Sequence, residues 1–217
     1  MNTLTTKIIE QGLANRVLKV SQLKRLAEGT EQRRYNLLNR AIKSRELYRL
    51  QRGLYMLNER FRDYPCHPFV LAQAIESGSY ISFETALAYH GWIPEAVFTT
   101  ASVVPHRKSK QFEDKNMGLF TFHPLAIQRV HFLELVTRHQ TNGQTMLVAK
   151  PYRALMDLIC LRKLSWEGMD WLLEGLRVDS EALATITDDD IKILSMVYKH
   201  KRVKSYLSNL GKRLGLD

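Results

Sequence analysis

Residues 20 to 57, VSQLKRLAEGTEQRRYNLLNRAIKSRELYRLQRGLYML, constrain the fold of this 217-residue chain more than any other stretch. Ser21 reads as an N-cap, because its hydroxyl can accept from an unpaired backbone N–H at a helix start. Gly29 interrupts the run. Thr30 caps a second helix in the same way, and Tyr35, Leu38, Ala41 and Ile42 recur in it at helical spacing as one apolar stripe. At about 100° per residue, Gln32, Arg33, Asn36, Arg40 and Lys43 project from the opposite face. Glu31 and Arg34 lie closer to the buried side. Tyr48, Leu50, Tyr55 and Leu57 then alternate around Arg52-Gly53 as a β-hairpin should, with Arg49, Gln51 and Arg52 near its tip. A short helix, a tight turn, a basic helix and two strands make the outline of a winged helix-turn-helix.

The chemistry of the exposed face suits duplex DNA. Arginine can donate two bonds to a guanine edge, and asparagine or glutamine can do the same to adenine. The candidate DNA-binding set is Thr30, Gln32, Arg33, Asn36, Arg40 and Lys43 from the helix, with Arg49, Gln51 and Arg52 from the wing. Phosphate contacts from the wing would position the helix without reading sequence. Taken alone, a basic helix face is as readily a solvated one. Charge placement tips the balance. The formal charge is +10, and residues 1–62 hold 14 Lys and Arg against 5 Asp and Glu, a net of +9, while residues 63–217 hold 18 against 17. The excess therefore sits where the nucleic-acid motif does.

Pro65 and Pro68 flank Cys66-His67 and mark a domain junction. The expected fold class is α+β: an N-terminal winged helix-turn-helix domain (1–62), then a mixed α/β C-terminal domain (63–217) ending in a helical segment. A first helix over Thr3 to Leu13 buries Leu4, Ile8, Ile9 and Leu13, with Gly12 marking its end. Past the junction, Phe69–Glu76 reads as a helix, Tyr80-Ile81 as extended, and Ser82 as the cap of a helix running to His90. Val97–Val104, Gly118–His123, Val130–Thr137 and Thr145–Ala149 read as strands, with a polar loop carrying Arg107, Lys108 and Lys110 between the first two and a turn at Asn142-Gly143. Pro151 suits the first turn of a helix buried through Leu155, Leu158 and Ile159. From Trp166 the pattern is helical, with Asp179 and Thr187 as N-caps. The last helix carries Val203, Tyr206, Leu207 and Leu210 on one side and a basic cluster, Lys199, Lys201, Arg202, Lys204, Lys212 and Arg213, which either meets phosphate or an acidic partner or pairs with local acids.

Two cysteines give no disulfide framework, the opening residues have no apolar signal core, and no run approaches the roughly 18 apolar residues of a membrane span. The cytoplasm is the expected location. No GxSxG, HExxH, GxGxxG or phosphate-binding loop occurs. Asp188, Asp189 and Asp190 read as helix-start acids rather than as a metal site, and Cys66-His67 lacks a second ligand pair. His131 and His139 lie eight residues apart, with no carboxylate beside them at an obvious catalytic spacing. The expectation is a non-enzyme with no cofactor and no metal.

The order of features, a basic winged motif ending LYRLQRGLYML, then SYISFETALAYHGWIPEAV, then GLFTFHPL, then MLVAKPYRALMDLI, resembles the AbiEi antitoxins of bacterial toxin–antitoxin and phage-abortive-infection systems, over roughly Leu4 to Leu214. The resemblance implies a two-domain regulator. Its winged domain would bind inverted repeats in its own promoter and repress the operon, and its C-terminal domain would counteract a nucleotidyltransferase-type toxin, with direct toxin binding left open. The toxin's own signature is absent, since Gly78-Ser79 has no spaced aspartates after it. Two other readings stay open: a plain transcriptional repressor, and a nucleic-acid enzyme targeted by the winged domain.

Overall fold

The structure, a computed structural model, describes residues 1–216 and is a mixed α/β chain with two sheets. It forms two compact units, one of Met1–Ser77 with Gln140–Gln144, the other of Gly78–His139 with the residues from Thr145 onward. Residues 63–77, C-terminal to the expected junction, thus pack with the first unit. One tie is reciprocal: the Asn15 amide donates to the Asp63 carboxylate at 2.7 Å and accepts from the Asp63 N–H at 2.9 Å.

The first unit opens with α1 (Thr3–Glu10), where the Asn2 side chain accepts from the Leu4 N–H and Gly12, at φ 65°, turns the chain away. There follow β1 (Leu18–Lys19), α2 (Val20–Leu26), α3 (Glu31–Lys43), β2 (Leu47–Gln51), β3 (Leu54–Leu57) and α4 (Pro68–Ile75). The sheet order is β1-β3-β2, and both pairings are antiparallel. β3 is therefore central, and all four of its residues are buried. Leu4 and Ile8 from α1, Leu18, Leu23 and Ala27, Ala41 from α3, and Leu47, Tyr55 and Leu57 make one core. Each fully buried leucine contributes about 2 kcal/mol of transfer free energy, so this small unit depends on every one of them. Ile9, expected in the buried stripe, is exposed instead.

Two expectations for this unit are corrected. Ser21 does not cap α2. Lys19 pairs with Leu54 in β1 and the Val20 N–H donates to Gly53 O at 2.8 Å, so the helix starts earlier, with the Gln22 side chain accepting from the Lys19 N–H. A two-residue strand has too little pattern to announce itself. In the hairpin, the register slips between Arg49 and Gln51, so Leu47 and Leu50 are buried in β2 while Tyr48 is half-buried. The extra residue in a bulge resets the alternation beyond it.

The other sheet is six-stranded and runs β6-β7-β5-β4-β9-β8. Its strands are β4 (Tyr80–Ile81), β5 (Thr99–Val104), β6 (Lys110–Asp114), β7 (Gly118–Pro124), β8 (Val136–Thr141) and β9 (Gln144–Ala149). β4 lies parallel to β9 and β5 to β7, while β4–β5 and β6–β7 are antiparallel. The polar loop expected after Val104 thus contains a strand, β6, which pairs with β7 residue for residue and shows no alternation strong enough to mark it. The strand expected over Val130–Thr137 begins only at Val136. Arg129–His131 forms a 3-10 turn before it.

The helices are α5 (Phe83–Tyr89), α6 (Pro151–Arg162), α7 (Ser180–Leu183), α8 (Asp188–Val197) and α9 (Lys201–Leu214), with a π-helical turn at Trp171–Gly175. Asp179 and Thr187 cap α7 and α8, and Asp190 closes a capping box with Thr187. Those bonds account for Asp190, and Asp188 and Asp189 fill the first turn of α8, where the helix dipole favours acids. Val203, Tyr206, Leu207 and Leu210 are the buried side of α9, as their spacing requires. No described helix is long and apolar enough to cross a membrane.

Candidate nucleic-acid interface

The α2–α3 turn fixes the direction of α3. Thr30 Oγ1 accepts from the Arg33 N–H at 3.3 Å. At the other end the Arg45 N–H donates to Ile42 O and the Glu46 N–H to Ala41 O, with Arg45 at φ 55° where glycine usually stands. Glu46 then anchors this end: its buried carboxylate accepts from the Asn2 N–H at 2.8 Å. Burial would raise the Glu46 carboxyl, but that N–H and neighbouring donors outweigh it and hold the group below its ordinary value of 4.5. A lowered folded-state value stabilises the fold above the unfolded value and is lost as pH falls through the folded one. Glu46→Gln is therefore expected to lower stability at pH 7 and to flatten its acid dependence below about pH 4.5, read by urea unfolding at several pH values.

Ala41 is buried, and Leu37, Leu38 and Ile42 pack partly against the core. Tyr35, expected in the stripe, is 60% exposed. The stripe centres between Ala41 and Leu38, and Tyr35 falls about 90° to one side of that line. Arg34 lies nearer the core, with its Nε buried, as its helical position implies.

Gln32, Arg33, Asn36, Arg40 and Lys43 are all exposed, on the side of α3 away from Leu38. Gln32 Nε2 donates to Asn36 Oδ1 at 3.2 Å, so these two amides form a pair one turn apart. Arg40 and Lys43 make no ion pair among the described residues. Arg33 is held differently. A Cβ on Gly29 would stand 2.7 Å from Arg33 Cδ, so the arginine stem folds back over the turn. Its charge acts on Glu28, whose carboxyl Lys7 in turn holds below the ordinary value. Gly29, at φ 96°, is thus needed for both conformation and space. Gly29→Ala is expected to destabilise the first unit by about 1 kcal/mol or more, measurable as a lowered melting temperature.

In the hairpin, Arg49 and Arg52 are exposed, and Gly53, at φ 85°, completes a two-residue turn. Gln51 is half-buried and its amide donates to Ile75 O at 3.3 Å, so its donor is spent on the unit's own backbone. Thr30 is exposed but its hydroxyl is the α3 cap. Of the nine sequence-derived residues, the structure gathers Gln32, Asn36, Arg40 and Lys43 on one helical face, leaves Arg49 and Arg52 exposed in the hairpin, and ties Thr30, Arg33 and Gln51 to local contacts.

The other cluster of charge is closed. Arg153 and Asp157, both fully buried, meet at 3.0 Å across one turn of α6. Arg153 also donates to Tyr80 Oη at 2.6 Å and to the carbonyls of Glu134 and Phe132. Asp157 accepts from Tyr80, Ser82 and Tyr198 hydroxyls at 2.9, 2.7 and 2.7 Å. Burial, and then the Asp157 charge, push both phenols well above their ordinary value. Ser82 was expected to cap α5 with its hydroxyl, and that hydroxyl goes to Asp157 instead. Sequence reasoning passed over this network. Its one signal is an Arg-x-x-x-Asp pair inside an otherwise apolar helix.

His67 accepts from the Phe69 N–H through Nδ1 and so caps α4. Burial pushes both cysteine thiols up to about 11, so neither is a thiolate near neutrality. Glu134 does lie beside His131, at 3.7 Å, an approach that the turn before β8 creates. No group of three His, Cys, Asp or Glu that could hold a metal occurs among the described residues. The basic side chains of α9 and of the two residues before it make no ion pair with local acids among the described residues. No protein-family model and no curated protein matches the chain.

Proposed function

We propose that the first unit is a winged helix-turn-helix that binds double-stranded DNA, with α3 in the major groove and the β2–β3 hairpin as the wing. The observation that carries this reading is the free face of α3, where Gln32, Asn36, Arg40 and Lys43 stand exposed beside a hairpin bearing Arg49 and Arg52. The element order, with β1 pairing onto the hairpin, supports it, as does the concentration of positive charge in residues 1–62. The two amides are the base readers, and Arg40, Lys43, Arg49 and Arg52 contact phosphate.

The wider role rests on the resemblance in motif order: a cytoplasmic antitoxin of a bacterial abortive-infection system that represses its own operon and counteracts a nucleotidyltransferase-type toxin. The SYIS and PYRALMD segments that carry much of that resemblance supply Tyr80, Ser82, Arg153 and Asp157 to the buried network of this chain. A reporter fused to the DNA upstream of the gene tests the regulatory half. The chain supplied in trans should lower reporter output, and Asn36→Ala with Arg40→Ala should restore it. Unchanged output with the native chain would sink the autorepressor reading. Co-expression with the adjacent gene tests the other half, with rescue of growth expected only when that gene is toxic alone.

A further inference from the structure

Between α8 and α9 the second unit holds a groove of about 300 Å³. Lys204, Ser208 and Lys212 stand along it at four-residue intervals on α9. Each step along such a series turns by about 40° and rises about 6 Å, so the serine stands between two long, flexible lysine side chains. Neither lysine makes an ion pair among the described residues. Ile191 and Leu207 give the groove an apolar wall, continued by Leu216.

Gly211 is the second observation. It lies inside α9, where glycine is the poorest helix former after proline. A Cβ there would meet Ile191 Cγ2 and Leu216 O at 3.7 Å, ordinary contact distances, so an alanine fits and packing does not demand glycine. What the missing methyl group leaves open is the groove floor.

We propose that this groove binds an organic phosphate monoester of about the size of a nucleoside monophosphate. A phosphate monoester brings a near-dianion with three strong acceptor oxygens, matched here by two ammonium groups and a hydroxyl. Its body lies on Ile191 and Leu216. The volume stands at the lower end of the roughly 300–1,000 Å³ usual for small-molecule sites, which fits a mononucleotide.

The test is calorimetric titration of the full chain with AMP and with GMP, with adenosine, inorganic phosphate and a single-stranded oligonucleotide as separate arms. Saturable binding of a nucleotide is expected, at least tenfold tighter than adenosine or phosphate alone. Lys204→Gln with Lys212→Gln should weaken it more than tenfold. Gly211→Ala should weaken it severalfold while leaving the melting temperature unchanged or higher, which separates a narrowed groove from a damaged fold. The proposal is overturned if neither nucleotide binds saturably, if phosphate alone binds as tightly, or if Gly211→Ala leaves binding intact. Oligonucleotide binding that needs the lysines but ignores Gly211→Ala would make the stripe a backbone contact and would also overturn it.

Discussion

Asp157→Ala is expected to destabilise the second unit by about 3–5 kcal/mol, the largest effect of any single change in this chain. The carboxylate accepts from three hydroxyls and from Arg153 Nε, and every one of those donors is buried. Removing it leaves Arg153 as an uncompensated charge with no water to solvate it. A domain retains only about 5–15 kcal/mol in total, so much of the margin is lost. The melting temperature should fall by about 10 °C or more. Replacing both charges together, Arg153→Met with Asp157→Leu, should cost less than either single change, because an apolar pair of similar volume carries no desolvation penalty. A melting temperature within about 2 °C of the native value for Asp157→Ala would show that the network contributes little.

The second large effect is on DNA. Asn36→Ala should weaken binding to the cognate site by about 1–3 kcal/mol, roughly tenfold to over a hundredfold, and change binding to random duplex little. Gln32→Ala should behave similarly, since the two amides are held as a pair. Arg40→Ala and Arg52→Ala should weaken both duplexes alike, each reducing the salt slope by about one. Arg33 is a special case, because its stem must leave Gly29 to reach a base edge. Arg33→Ala should therefore lose less affinity than its position on α3 implies. Equal losses on cognate and random DNA for Asn36 and Gln32 would remove them as base readers.

What the sequence made legible were features whose cause is local. Thr30 at the α3 start, Pro151 in the first turn of α6, and the Thr187 cap of α8 depend on residues within four positions of one another. The free face of α3 follows from helical geometry once the buried side is known, and it was readable except at Tyr35. The failures have a common cause in tertiary pairing. Ser21 and Ser82 have the right chemistry for capping, but β1 pairing moves one helix start and Asp157 takes the other hydroxyl. Gln51 has the right position for a wing contact, yet a carbonyl 24 residues away claims its donor. The buried network joins Tyr80, Ser82, Arg153, Asp157 and Tyr198 across more than a hundred residues, and no window along the chain contains it. The α8–α9 groove was invisible for the same reason, although its lysines stood out as a basic cluster.

The most direct test of the DNA-binding claim is fluorescence anisotropy of the purified chain on the DNA upstream of its own gene, against a scrambled duplex, over a salt series. The account predicts tight upstream-specific binding, about a thousandfold or more over the scramble, with log affinity falling steeply as log salt rises. Equal and weak binding to both duplexes would contradict it and would leave the exposed face of α3 as a solvated surface.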